Sequence, residues 1–420
     1  MKDRVILHSD INNCFASIEC LHRPAIRNKP VAVCGDPESR RGIVLAKNYI
    51  AKAAGIKTGE VIWQAKQKCP NLVVVPPNYL LYLRFSKLAR SIYSDYTNQI
   101  EPFGLDEAWL DVTGNCRNGT NGTMIANEIR ERIKNELGVT VSVGVSFNKI
   151  FAKLGSDMKK PDATTTISRE NYKETVWALP ASDLLYVGPS TKRKLALIGV
   201  YTIGDIANLD ALLIRSYLGK WGSVLHDFAN GDDASPVLTA DAESAIKSIG
   251  NGTTTPRDLL NDDDVLCIIY VLCESIAMRM REHNFKCKTL QIYVRDNELY
   301  SFERQAKLTR ATNLASDLSQ AAMKLFKTSY AWSKPIRSVG VRACDLVSAD
   351  TNIQLSLLVD ENEIIKHEDL EYTIDAIRHR FGNQIIKRAL LIRDRSLGNI
   401  NPKDDHIIHP VSYFKGGPLP

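Results

Sequence analysis

The chain has 420 residues and a mass of 46.9 kDa, and about three or four domains are expected, because one hydrophobic core rarely serves so long a chain. Hydrophobic residues make up 44% and charged residues 24%, a balance that excludes collagen-like, coiled-coil and extensively disordered chains. The net charge of +6 is unevenly spread: Ser275 to Cys344 holds 13 Lys/Arg against 5 Asp/Glu, a net +8, so the remainder sums to −2.

Val5 to Asp10 (VILHSD) opens with an apolar run that predicts a buried strand ending on an aspartate. Further strands are predicted at Pro30–Cys34, Gly42–Ala46 and Leu72–Val75, with a helix at Glu60–Lys68. From Tyr79 to Asn98, Leu81, Phe85, Leu88 and Ile92 recur at spacings of three and four, which predicts a long amphipathic helix. It leads into Phe103-Gly104-Leu105-Asp106-Glu107-Ala108-Trp109-Leu110-Asp111, where two adjacent acids sit between strand-like residues. Ile125, Ile129, Ile133 and Leu137 predict the next helix, and Val139–Val145 another strand. This alternation is too irregular for a Rossmann unit; Gly250-Asn251-Gly252 lacks the third glycine of a dinucleotide fingerprint, and there is no Walker A sequence.

From about Ser168 to Pro236 the pattern is short and helical, with Gly188 and Gly199 at turns that suit helix hairpins. Beyond it, Ala245–Gly250, Thr289–Arg295, Leu299–Arg304 and Ile336–Cys344 are predicted strands, and 262–283 and 311–329 helices. The basic region therefore has the order β-α-β-β-α-β. A polar linker carries Gln354-Leu355-Ser356-Leu357-Leu358, followed by a helix near 367–381 and an irregular end. No apolar run approaches the ~18 residues of a membrane span, and the opening MKDRVILHSD lacks a signal-peptide stretch, so a soluble, cytoplasmic protein is expected. Nine scattered cysteines without a C-x-x-C pair predict neither disulfides nor a zinc site. His406 and His409 have metal-compatible spacing but no supporting ligands, and a packed tail is expected there.

Asp10, Asp106 and Glu107 form the main chemical constellation. Carboxylate oxygens are hard ligands suited to Mg²⁺, and two ions about 3.5 to 4 Å apart can activate one oxygen and stabilise a leaving one in phosphoryl transfer. Taken singly, each acid could equally cap a turn or sit in solvent.

Three stretches together resemble the motifs of Y-family translesion DNA polymerases, in the bacterial UmuC-like branch: Asp10-Ile11-Asn12-Asn13-Cys14-Phe15-Ala16-Ser17-Ile18-Glu19, Gly104-Leu105-Asp106-Glu107-Ala108-Trp109-Leu110-Asp111, and Ser146-Phe147-Asn148-Lys149-Ile150-Phe151-Ala152-Lys153 through Asp157-Met158-Lys159-Lys160-Pro161. They occur in the family's order and spacing. The resemblance implies an α/β multidomain (α+β) right-hand polymerase: a ferredoxin-like palm (1–12 and 78–167), small fingers (13–77), a helix-hairpin-helix thumb (168–236), a β-α-β-β-α-β little finger (243–345) and a tail (346–420). It implies two Mg²⁺ ions held by Asp10, the Ile11 carbonyl, Asp106 and Glu107, with those three acids as the catalytic set. Phe15 matches the steric gate that excludes a ribose 2′-hydroxyl; Tyr49, Lys52 and Lys160 match triphosphate contacts. Lys52 stands where many members have arginine, and Cys14 where an aromatic residue is common.

The resemblance further implies primer-template DNA and deoxynucleoside triphosphates as substrates. Gly188, Gly199, Arg295, Arg304, Lys334, Arg337 and Arg342 would hold DNA phosphates without reading sequence. Gln354, Leu355, Leu357 and Leu358 resemble the short peptide that binds the bacterial sliding clamp (its β subunit), and the branch admits a UmuD-like regulatory partner. Small residues Ala46, Ala51, Ala53, Ala54 and Gly55 would line a roomy fingers surface, consistent with low fidelity. Two other readings compete: a non-catalytic DNA- and clamp-binding accessory protein, and a nucleotidyl cyclase, which would need neither the basic segment nor the clamp peptide.

Overall fold

Alternation along β1 (Ile6–Ile11), all six residues of which are buried, sets the plan of the amino-terminal half. Successive side chains of a strand point to opposite faces, so Leu7, Ser9 and Ile11 share one face and Ile6, His8 and Asp10 the other. The computed structural model describes residues 4–38, 40, 42–116, 121–240, 246–350 and 361–402. Met1–Gly35 and Ile43–Glu243 belong to one compact unit, Asp36–Gly42 and Ser244–Ile407 to a second. Gln354, Leu355, Leu357, Leu358, His406 and His409 lie outside the described residues.

The first unit continues with α1 (Cys14–His22), β2 (Val31–Cys34), β3 (Val44–Lys47), α2 (Tyr49–Ala53), α3 (Ile62–Lys68), β4 (Val73–Val75), α4 (Tyr79–Ser94), β5 (Ile100–Pro102), β6 (Glu107–Asp111), α5 (Gly122–Arg132), β7 (Val141–Ser146), α6 (Lys149–Met158) and β8 (Thr164–Ile167). β1 is the centre of a five-stranded sheet of order β5-β6-β1-β7-β8 and runs antiparallel to β6 and β7. Leu7 and Ile11, with Leu110, Val141, Val143 and Val145, pack against Tyr82, Phe85 and Ile92 of α4 and Ile125 and Ile129 of α5. Ile6 and Trp109, on the opposite face, pack with Ile150 and Phe151 of α6 and with the helices that follow, α7 (Tyr172–Val176), α8 (Pro189–Ala196), α9 (Ile203–Asn208), α10 (Ala211–Leu218) and α11 (Lys220–Ala229).

Helix α6 lies very close to the sheet because Gly144 has no side chain. A Cβ there would sit 1.8 Å from the Ala152 carbonyl oxygen and 2.5 Å from the Ser156 nitrogen. Asn148 starts the helix by accepting the Phe151 N–H at 2.8 Å, and its amide donates to the Gly231 carbonyl at 2.8 Å. Lys149 and Glu101 form a buried ion pair at 2.7 Å, and Glu101 also accepts the Leu238 N–H at 3.0 Å, so the chain leaving α11 is fastened beside β5.

β2, β3 and β4 form a separate small sheet of order β3-β2-β4. Ala51 is buried in its core beside Ala65 and Ile56, whereas Ala53, Ala54 and Gly55 are exposed. Ala51 therefore fills the interior of this subdomain rather than lining its surface, which corrects the sequence expectation.

In the second unit, β9 (Ile249–Leu259), α12 (Asp262–Glu282), β10 (Phe285–Asp296), β11 (Ser301–Thr312), α13 (Ala315–Ser329) and β12 (Ile336–Ser348) follow the expected β-α-β-β-α-β order. The sheet order is β11-β10-β12-β9 with antiparallel neighbours, and Leu290, Ile292, Val294, Val339 and Val341 pack under α12 and α13. The predicted carboxy-terminal helix is longer than expected: α14 spans Glu361–Phe381, and α15 (Leu390–Arg393) and α16 (Arg395–Gly398) follow. Arg281 of α12, with a side chain only 3% exposed, is paired with Glu371 at 3.0 Å and Asp375 at 2.7 Å of α14. Lys286–Glu368 and Arg378–Glu274 pairs, both at 2.8 Å, extend the contact.

Candidate active site

Asp10 and Glu107 stand directly opposite one another on β1 and β6. The Ile11 N–H donates to the Asp106 carbonyl at 2.9 Å, which brings the third acid beside the first two. Burial, followed by repulsion from Glu107, pushes the Asp10 carboxyl up to about 7 against the pull of Lys160. The same two causes push Asp106 up to about 6. Burial alone would also raise Glu107, but contact with His8 and the charge of Lys153 outweigh it and hold this carboxyl below its ordinary range.

Two lysines from α6 and the turn after it engage the acids. Lys153 Nζ lies 2.6 Å from Glu107 Oε2, and Lys160 Nζ lies 2.7 Å from Asp10 Oδ2. Behind Glu107, His8 is fully buried, with Nδ1 2.8 Å from Ser156 Oγ and Nε2 3.5 Å from Glu107 Oε2. Burial, then the Lys153 charge, lowers its pKa to about 4, so the ring is neutral near pH 7. Among the described residues, no three Asp, Glu, His or Cys side chains are already gathered into a cation cage. The donor set nevertheless fits divalent cations: hard oxygens on rigid strand ends, two of them already drawing positive charge, and two carboxyl groups whose affinity for protons is raised by burial and by the neighbouring Glu107.

Phe15 and Tyr49 flank this centre. The Phe15 ring stacks on Tyr82 at 4.2 Å between centroids and meets Tyr79 edge-on at 6.1 Å. The Tyr49 hydroxyl reaches Asn12 Oδ1 at 3.4 Å, and Asn12 also accepts from Ser142 Oγ at 3.0 Å, a link from α2 to β7. Burial raises the Tyr49 pKa, with Lys160 and Asp10 both close enough to act on it. The Lys52 ammonium group lies 5.7 Å from the Tyr49 ring centre. Thus Asp10, Asp106, Glu107, Tyr49 and Lys160 come together, with Phe15 and Lys52 at the margin.

Gly188 precedes α8 and Gly199 has φ +76°, and a Cβ on either would meet nothing within 4 Å, so both turns are open to an approaching backbone. In the second unit the basic residues divide. Arg295 and Arg342 lie on the sheet face away from α12 and α13, and Arg295 Nε is buried without a hydrogen-bond partner. Arg304 is opposite Ile292 and so belongs to the helix side of edge strand β11, its guanidinium 5.5 Å from the Phe302 ring. Lys334 precedes β12 and pairs with Glu298. Arg337 is half-buried; burial and then like charge, including that of Arg295, lower its pKa.

Sequence reasoning did not single out His8, Asn12, Lys153 or Asp157 as site residues, although the last three lie in the motifs and His8 lies in the strand that leads to Asp10. Their signal is one of periodicity: His8 shares the strand face of Asp10, and Lys153 and Asp157 are one helical turn apart.

Paired acids at adjacent strand ends, backed by a lysine-bearing helix, suit phosphoryl transfer. The fold belongs to the right-hand polymerase class: a Y-family DNA polymerase chimera of Dbh and Dpo4 superposes with a TM-score of 0.71 at 23% identity, covering 82% of this chain and 99% of that one. The sequence profile of the impB/mucB/samB family matches residues 9–157, and that of the family's C-terminal domain matches 246–357. A DNA polymerase IV of Acetivibrio thermocellus is 55% identical over 397 residues, 94% of this chain and 100% of that protein. A DNA polymerase IV of Clostridium acetobutylicum is 35% identical over 395 residues, 93% of this chain and 98% of that protein. The chain belongs to the impB/mucB/samB family, that is, to the Y-family DNA polymerases.

Proposed function

We infer that the chain is a template-directed DNA polymerase of the translesion type, which extends a primer 3′-hydroxyl with deoxynucleotides during DNA damage tolerance and has no proofreading exonuclease. The observation that carries this is the register that sets Asp10 against Glu107, with Asp106 adjacent, in a chain so similar to DNA polymerases IV. Asp10, Asp106, Glu107 and the Ile11 carbonyl would hold divalent cations, taken here as two Mg²⁺, which when bound supply Lewis-acid stabilisation to the attacking and leaving oxygens.

The remaining roles fall to the chain's own residues. Lys160 and Tyr49 bind the triphosphate, one as a point charge and one as a hydroxyl donor, with Lys52 nearby as a second cation. Lys lacks the planar fork of Arg, so Lys52 gives charge without two-pronged geometry. Phe15, fixed by its stack on Tyr82, stands under the incoming sugar as a steric gate. Gly188 and Gly199 in a thumb (168–236), and Arg295, Arg304, Lys334, Arg337 and Arg342 in a little finger (243–345), grip DNA phosphates; the palm takes 1–12 and 78–167 and the fingers 13–77. Gln354, Leu355, Leu357 and Leu358 bind the sliding clamp, and a UmuD-like protein is a candidate regulator. No helix among the described residues is long and apolar enough to cross a membrane; we place the enzyme in the cytoplasm.

Primer extension on undamaged and abasic templates tests the catalytic reading. Asp106→Ala and Glu107→Ala are each expected to abolish extension while DNA affinity persists. Extension at the wild-type rate in both variants would reject these acids as the catalytic set, and no extension by the wild-type protein, with DNA binding intact, would favour the non-catalytic accessory protein instead.

A further inference from the structure

Asp157 has no part in the mechanism above, yet it stands between the two lysines that engage the acid cluster. Its Oδ1 lies 2.9 Å from Lys160 Nζ, and its Oδ2 lies 3.6 Å from Lys153 Nζ. The same ammonium groups reach Asp10 at 2.7 Å and Glu107 at 2.6 Å. The Asp157 side chain is 47% exposed, and an exposed carboxylate paired within its own helix contributes little to folding. It also occupies the last turn of α6, where the helix dipole disfavours a negative charge. Neither burial nor helix stability accounts for an acid at this position; its geometry toward the lysines does.

We propose that Asp157 is a positioning residue that keeps the Lys160 ammonium group at the edge of the acid cluster, so that it passes from Asp10 to the nucleotide triphosphate without being released into solvent. This rests on the reading of Lys160 as a triphosphate contact. Asp10 cannot serve Lys160 and a divalent cation equally, because a cation on its oxygens repels the ammonium group. A lysine freed by that exchange regains rotamer freedom, which it must lose again to grip a phosphate. Asp157 lies outside the proposed metal ligands and holds Lys160 through the exchange. Its second oxygen faces Lys153, so one carboxylate registers both lysines against the strand ends.

The test is a two-residue cycle on primer-template DNA, read as KM and kcat for the nucleotide, as binding of a non-reactive α,β-methylene nucleotide analogue to the enzyme–DNA complex, and as thermal midpoint. Asp157→Asn is expected to raise KM about fivefold, with a much smaller fall in kcat, the size of effect expected for loss of one well-placed charge pair. Analogue binding should weaken by a similar factor, the thermal midpoint should stay at the wild-type value, and Asp157→Glu should restore most of the loss. In a Lys160→Ala background, already raised in KM, Asp157→Asn should add nothing further. A raised KM in Lys160→Ala with wild-type KM in Asp157→Asn overturns the proposal alone, as does an Asp157→Asn effect that persists undiminished without Lys160. An unchanged KM in Lys160→Ala overturns the triphosphate role of Lys160 and the proposal with it.

Discussion

At the scale of single residues, the proposed gate Phe15 rests on an ordinary aromatic contact. The ring is half-buried, stacked on Tyr82, and Tyr82 in turn donates its hydroxyl to the buried Glu19 at 2.7 Å. A side chain held on two sides cannot step aside for an extra hydroxyl group, so a gate at this position would reject ribose sterically. Phe15→Ala should raise ribonucleotide incorporation by about tenfold or more, equivalent to at least ~1.4 kcal/mol of lost discrimination. The comparison is single-nucleotide insertion with matched ribo- and deoxynucleotides, and an unaltered preference rejects the gate. Asp10, Asp106, Glu107, Phe15 and Lys160 are legible in the sequence because each lies in a contiguous motif. The pairings Lys153–Glu107 and Lys160–Asp10 are not, since they join residues 46 and 150 positions apart and depend on how α6 is seated.

At the scale of elements, that seating depends on Gly144. With no Cβ on β7, α6 can rest directly on the sheet, and its side chains reach over to β1 and β6. Gly144→Ala would place a carbon against the Ala152 carbonyl; we expect a loss of about 1–3 kcal/mol, the usual range for overpacking against backbone that cannot yield. Urea unfolding measures it, and a wild-type midpoint would mean that α6 tolerates the added methyl group. The elements that the sequence places correctly have strong periodicity, such as α4 and the strands around the acids. Those it misplaces carry weak patterns. β9 is expected at 245–250 but spans Ile249–Leu259, and its inward positions include Asn251, Thr253 and Thr255, with Pro256 in the run. β11 is an edge strand with charged residues on both faces, so the expected strand stops at Arg304 and the expected helix takes in 311 and 312, whereas the strand continues to Thr312. β8, a four-residue Thr-rich strand, gives too short a pattern to be predicted.

At the scale of the whole molecule, the basic charge and the acid cluster lie in separate parts of the chain. The net +8 between Ser275 and Cys344 lies in the second unit, and Asp10, Asp106 and Glu107 lie in the first. An enzyme that grips phosphates mainly by counterion release binds weakly at moderate salt, and a tether to a clamp offsets this by raising local concentration. Gln354→Ala combined with Leu357→Ala should therefore remove clamp stimulation of primer extension; stimulation equal to wild type would exclude this peptide as the tether.

Arg281 carries a consequence for where such a chain can be shortened. Its guanidinium group is sealed beneath α14 and answered by Glu371 and Asp375, and a buried cation stripped of its counterions is far costlier than one that never entered the interior. Removing 361–402 would uncover an orphaned charge on α12 together with the apolar surface around it. For this second unit the last helices are part of the folded body, and a chain cut after the basic sheet should lose stability.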